Sequence, residues 1–358
     1  MADSRVGEYA RLLVERCLDV QPGWQVLIRT TTLARPLYEE LARSIARRGA
    51  YVIPRIGFSL WPTDIPWASE APAELLGELP EIDRYASDHM DARMTIAAPE
   101  NTREFSELPP ERMQLRSRAS RYFLRRTMSD EIPWVSCQFP TSALAQEADM
   151  SLPQFRDFFY GACLLDWDAE GRRMQSLLER FDAADEVRIV GEGTDLTLGL
   201  AGRRGEVDDG RTNMPGGEFF FAPVEDRTEG VILFGEFPAV EYGQEVRGAR
   251  LVFREGRVVD ASALAGEDVL LTMLDTDEGA RRVGELGIGC NPGITRYMKN
   301  TLFDEKMAGT VHLALGASYT KVGGKNESDI HWDLVKDLRS GGRIFLDGEL
   351  AQENGDWL

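Results

Sequence analysis

Apolar positions along the first half of the chain alternate between helical and strand spacing. Val6, Tyr9, Ala10, Leu13 and Cys17 recur at helical intervals and predict a helix over 4–18. The turn PGW and the buried strand WQVLIR follow. Residues 33–48 read as a helix that tolerates Pro36 near its start and ends at Gly49. The strand AYVIPRIG, a helix near 73–87, the strand ARMTIAAP, a helix near 108–127 and the strand PWVSCQF continue the order. Strands alternating with helices predict an α/β unit with a mainly parallel sheet.

After a helical stretch over 151–181 the texture changes. EVRIVGEGTDLTLGLAGR, LVFREGRVVDA and GRIFLDGEL each alternate about a glycine turn, as hairpins do. One helix is expected near 265–284. The expected fold class is therefore an α/β N-terminal domain over 1–182 and a β-rich α+β C-terminal domain over 183–358. The length of 358 residues, too great for one comfortable core, agrees with two domains.

Composition narrows the partners. A net charge of -19 repels nucleic-acid phosphates and anionic membrane. No apolar run approaches the roughly 20 residues of a membrane helix. The N-terminus lacks the basic start and apolar core of a signal peptide, so the cytoplasm is the expected location. Cys17, Cys137, Cys163 and Cys290 are far apart and are expected as buried free thiols, not zinc ligands. No GxGxxG follows the first strand and no GxxxxGK[ST] occurs, which argues against a nucleotide site.

Two of the three histidines lie in GTVHLALGASYTKVGGKNESDIHWDLV, at 309–335. Strand alternation puts Val311, Leu313 and Leu315 on one face and Thr310, His312, Ala314 and Gly316 on the other, so only small residues flank His312. His331 and Asp333 share a face, with Cα atoms about 6.6 Å apart, and both can reach one ion. Imidazole plus carboxylate suits zinc, manganese, cobalt or iron. A pair of core histidines or a general base is the alternative. His89 has no comparable setting and is expected on the surface.

Carboxylates extend the set. Glu218 is in phase with Phe220 and Ala222 and points to a buried face, where an unpaired carboxylate is costly. Glu285 sits between glycines where the 265–284 helix is expected to end and a strand could start; by itself it reads as a helix C-terminal surface residue. Glu225, Asp226 and Glu229 read as solvated turn residues.

The stretches GGEFFFAPVED, GELGIG, NPGI with NTLFDEKMAGTVHLALGASY, IHWDLVKDLR and FPTSALAQEADMSLPQFRDF resemble the thermophilic aminopeptidase family M29. The resemblance covers nearly the whole chain and is strongest over 213–354. It implies a metallo-aminopeptidase, a homodimer acting on short peptides, with two divalent ions (zinc, cobalt or manganese) held by Glu218, Glu285, His312, His331 and Asp333. It implies further that Glu285 bridges the ions, that Glu285 or a neighbouring carboxylate holds the attacking water, and that Tyr319 donates a hydrogen bond to the oxyanion. The segment between His312 and His331 looks shorter than the family pattern, which bears on the pocket wall.

Two rivals stand beside this reading. His312, His331 and Asp333 alone form a 2-His-1-carboxylate set, as in non-haem Fe(II) oxygenases, and ring-cleaving dihydroxypyridine dioxygenases resemble the same family. A mononuclear iron site has no need of both Glu218 and Glu285. The other rival is a metal-stabilised binding protein without catalysis.

Overall fold

The computed structural model describes residues 3–59, 65–106, 108–128, 131–241 and 244–358. The chain divides into two compact units, residues 1–164 with 210–215, and 165–209 with 216–358. The change of texture read at 182 lies one helix later than this division. The difference is the helix Trp167–Asp182, which joins the second unit by burying Met174, Leu178 and Phe181 in its core.

In the first unit the strands Tyr51–Gly57, Gln25–Thr31, Ala92–Ala97, Trp134–Gln138 and Asn213–Met214 lie side by side in that order, all parallel. This is the parallel α/β unit expected of the alternating pattern. Two predicted helices differ in detail. The first is α-helical over Arg5–Arg11 and widens to a π-helical turn over Leu12–Cys17. The helix expected over 73–87 is split into Ala73–Leu76 and Glu81–His89, because Pro80 supplies no backbone donor and Gly77 caps the first piece. All four cysteines are buried, and none is in a disulfide. His89 is exposed and stacks on Tyr85. No helix of the described residues is long and apolar enough to cross a membrane.

The second unit is built from two large antiparallel sheets and a two-stranded ribbon, Ala239–Glu241 with Gln244–Val246. One has eight strands and contains the three hairpins expected from the sequence, 186–199, 249–262 and 343–353. Asp347-Gly348 and Glu255-Gly256 turn two of them with both residues at positive φ, the backbone that matches strand twist. The other sheet has five strands, in the order His331–Asp337, Thr310–Gly316, Val283–Gly289, Glu218–Phe221 and Glu206–Asp208. The two sheets share one apolar core, to which Leu286, Ile288, Val311, Leu313, Leu315, Trp332 and Leu334 contribute from the five-stranded side.

The expected helix over 265–284 is shorter, Glu267–Leu274, followed by a 3-10 turn at Gly279–Arg281. Residues 283–289, VGELGIG, form a fully buried strand instead. Three glycines in a helix would cost about 1 kcal/mol each, whereas between two strands they leave space the site uses. Glu285 is thus a mid-sheet residue.

Phe181 anchors helix to sheet, with ring centroids 5.1 Å from Phe219 and 5.9 Å from both Phe221 and Trp357. Phe181→Ala should therefore cost the protein about 3–5 kcal/mol, read as a lower urea midpoint with an unchanged slope.

Candidate metal centre

The five-stranded sheet turns its other face to a cluster of polar side chains. Its register explains the convergence. Glu218 stands opposite Gly289, His312 opposite Gly287, and Asp333 and Glu285 flank Ala314 from either side, with His331 opposite Gly316. Each large functional side chain thus faces a residue with little or no side chain. An irregularity between Val283 and Glu285 shifts the register, so that Val283 enters the core while Glu285 stays on the polar face. Gly287 is required outright: a Cβ there would lie 1.9 Å from Cε1 of His312.

The carboxylates and imidazoles form a continuous chain of contacts. Nε2 of His312 lies 3.3 Å from Oε1 of Glu285 and 3.5 Å from Oε2 of Glu218. Nε2 of His331 lies 3.4 Å from Oε2 of Glu285 and 3.9 Å from Oδ1 of Asp333. Both rings are oriented from behind. His312 donates from Nδ1 to the carbonyl of Glu305 at 3.0 Å, and His331 from Nδ1 to the carbonyl of Ala317 at 2.8 Å. A carbonyl only accepts, so the proton sits on Nδ1 and the lone pair of each neutral ring is on Nε2, the atom that faces the carboxylates.

The structure therefore brings together all five residues expected as ligands, and it adds Glu305. Two groups have ligand atoms within 4.8 Å of one another: Glu218, Glu285 and His312, and Glu305, His312 and Asp333. Glu305 lies outside the strands, between the short helix Thr301–Asp304 and the His312 strand, where no periodicity marks it. The one signal available was the acidic pair Asp304-Glu305 immediately before an apolar strand. Glu225 also departs from expectation: it is half-buried and accepts from Arg203 at 2.6 Å and from the backbone of Lys325 at 2.9 Å. Asp226 and Glu229 are exposed, as expected.

The electrostatics fit a cation. Burial alone would lower both imidazoles, yet the facing carboxylates raise each to about 10. Burial would raise Glu285, but the two histidines hold it down at about 2. Glu305 is raised to about 8 by burial, with Glu218 and Asp333 adding to the shift and Lys306 opposing it. A field that holds a second proton on Nε2 also attracts a metal ion there. Oε2 of Glu218 is buried and has no hydrogen-bond donor among the described residues, which leaves a lone pair for coordination. Oxygen and imidazole donors in this number suit one or two divalent ions.

The open side of the cluster is at His331, whose side chain is 28% exposed, and at Tyr319, 41% exposed. The Tyr319 ring lies 5.3 Å from that of His331 and 5.6 Å from that of Phe220. Partial burial and then the charges of Glu285, Asp333, Glu305 and Glu218 push its phenol well above the usual value, so it remains a protonated donor.

Comparison with known proteins places the chain. The sequence profile of the thermophilic metalloprotease family M29 matches residues 2–355. The chain belongs to the M29 family. Aminopeptidase T of Thermus aquaticus is 31% identical, over 68% of this chain and 70% of that protein. Aminopeptidase PepS of Streptococcus thermophilus is 26% identical, over 98% and 97% of the two chains. Among solved structures, AmpT of Thermus thermophilus superposes with a TM-score of 0.86 at 24% identity, covering 99% of each chain. A 2,5-dihydroxypyridine dioxygenase of Pseudomonas putida KT2440 has the same fold at a TM-score of 0.64 and 13% identity, over 100% of this chain and 98% of the other.

Two outcomes are expected of this M29 centre. Gly287→Ala should displace the His312 ring and lower bound cobalt per chain, measured by elemental analysis, while far-ultraviolet circular dichroism stays native. Chelation should lower the melting temperature, since ions present at about 100 times their Kd add about 2.7 kcal/mol of stability. An unchanged melting curve after verified metal removal would count against the site.

Proposed function

We propose that this protein removes N-terminal residues from short peptides at a dinuclear metal centre formed by Glu218, Glu285, His312, His331 and Asp333, with Glu305 as a further carboxylate ligand. Family membership carries the coarser part: the chain is a metallo-aminopeptidase, a hydrolase. The finer part rests on one observation. The two oxygens of Glu285 face two different imidazoles, at 3.3 and 3.4 Å, which is how a carboxylate shared between two ions is placed.

Two divalent ions, when bound, supply Lewis acidity that activates a water and polarises the scissile carbonyl. The chain's own groups do the rest. Glu285 or the neighbouring carboxylate of Glu305 would hold the attacking water and take its proton. Tyr319 stands on the open side and its hydroxyl would donate a hydrogen bond to the oxyanion as the carbonyl turns tetrahedral. The buried side of the site, at Glu218 and His312, excludes bulk water and strengthens these interactions. Short peptides, a homodimer and the cytoplasm complete the proposal. Four buried cysteines outside any disulfide agree with a reducing compartment.

The dioxygenase reading would need only His312, His331 and Asp333. Here the Glu285 carboxylate lies between the two imidazoles, and Glu218 faces His312 as well. That arrangement favours the dinuclear site over a mononuclear iron.

The deciding experiment strips the protein, restores cobalt, zinc, manganese or iron(II), and follows cleavage of leucyl and other aminoacyl anilides. Two ions per chain with restored cleavage is the expected result. One iron per chain, no cleavage, and oxygen uptake with hydroxylated pyridines would replace the peptidase by the dioxygenase. Glu285→Gln should abolish turnover with the fold intact. Tyr319→Phe should lower kcat by about 10²–10³ with KM little changed; wild-type kcat in that variant would remove Tyr319 from the mechanism.

A further inference from the structure

The chain contains 36 arginines but five lysines, and all five lie between 299 and 336. Lys321 and Lys325 are exposed, where either cation serves, but in a buried site a compact ammonium fits where a planar guanidinium does not. Lys306 is the extreme case. Its side chain is 0% exposed. Its Nζ lies 2.9 Å from Oε1 of Glu218, contacts the carboxylate of Glu305, and is 3.9 Å from Oδ2 of Asp208. Its backbone is fixed on both sides: its N–H donates to the carbonyl of Phe303 at 3.0 Å, and its carbonyl accepts from the N–H of Asn291 at 2.8 Å.

This geometry divides the work of Glu218. One oxygen is occupied by the ammonium. The other, Oε2, is left facing His312 at 3.5 Å. Without the ammonium both oxygens would be free to chelate one ion, or to turn away from it. Charge points the same way. With two divalent ions bound, Glu305 gives up the proton that burial otherwise favours, and Asp208, Glu218, Glu285, Glu305 and Asp333 contribute five negative charges to the cluster. Two divalent ions cancel four of them, and Lys306 cancels the fifth. A buried charge left over would be costly.

We propose that Lys306 is a positioning residue of the metal centre: its ammonium holds Oε1 of Glu218 so that Oε2 alone coordinates, and it neutralises the carboxylate charge that two divalent ions leave over. The inference rests on the dinuclear reading above. Lys306 touches no substrate and acts through Glu218.

The test uses the full chain loaded with cobalt, unaltered and with Lys306→Met or Lys306→Arg. Cobalt per chain, the visible absorption of the bound cobalt, and kcat and KM for a leucyl anilide are measured on each. Both variants should shift the cobalt spectrum, because Glu218 changes its mode of coordination, and should lower kcat about 10–100-fold with KM little changed. Lys306→Arg keeps the charge, so it decides the matter if Lys306→Met yields no folded protein. A Lys306→Arg spectrum identical to that of the unaltered chain overturns the proposal, whatever happens to turnover. One cobalt per unaltered chain overturns the charge count and the proposal with it. If the unaltered chain binds two cobalt ions and cleaves nothing, the peptidase reading fails, and the variant spectra still decide the role of Lys306.

Discussion

Repulsion among buried carboxylates is the constraint on which the second unit depends. Glu218, Glu285 and Asp208 are each less than a tenth exposed, and Glu305 and Asp333 lie against them. At an effective dielectric of about 20, two such charges 4 Å apart repel by about 4 kcal/mol, and the cluster contains several pairs. The fold answers with cations placed between the anions. His312 stands between Glu218 and Glu285, His331 between Glu285 and Asp333, and Lys306 among Asp208, Glu218 and Glu305. Ions bound at Nε2 of each imidazole would take over the positive charge that the raised imidazoles otherwise carry.

The sheet makes this placement affordable in space. A flat antiparallel face presents side chains about 4.5–5.5 Å apart across strands, too close for five large polar groups on adjacent positions. Gly287, Gly289, Ala314 and Gly316 are interleaved with them and leave the volume the imidazoles occupy. On the opposite face the same strands carry Leu286, Ile288, Leu313 and Trp332 into a shared core. Period-2 alternation thus serves two ends at once: apolar burial fixes the register, and the register fixes the donor atoms.

That coupling explains what could be read from the sequence. His312, His331, Asp333 and Glu218 lie in runs whose alternation assigns each to a face, and the structure places them on that face. Glu285 is harder to read, because VGELGIG has too few side chains to show a period, and its partner strands, Thr310–Gly316 and Glu218–Phe221, are far from it in sequence. Glu305 and Lys306 lie in a turn with no periodicity, and their role exists only once distant residues close around them. The parallel order of the first unit followed from strand and helix alternation, whereas the break at Pro80 within 73–87 was visible as a residue and passed over as a signal. The proline's missing donor matters more there than the helical spacing of its neighbours.

The likeness in fold to a dihydroxypyridine dioxygenase shows why the architecture cannot decide the chemistry. Two strands that bring His312, His331 and Asp333 together suffice for one ion. On the proposed dinuclear reading, a second ion needs extra negative charge at the same place, and extra buried charge persists only if something balances it. Glu218 without Lys306 would be an unmatched anion. Glu285 without two imidazoles on its two oxygens would be another. On that reading, what separates this centre from a mononuclear one is charge balance, carried by side chains outside the histidine-carboxylate set: Glu218, Glu285, Glu305 and Lys306. Substituting any one of them changes how many cations the remaining groups can hold, before it changes the shape of the site.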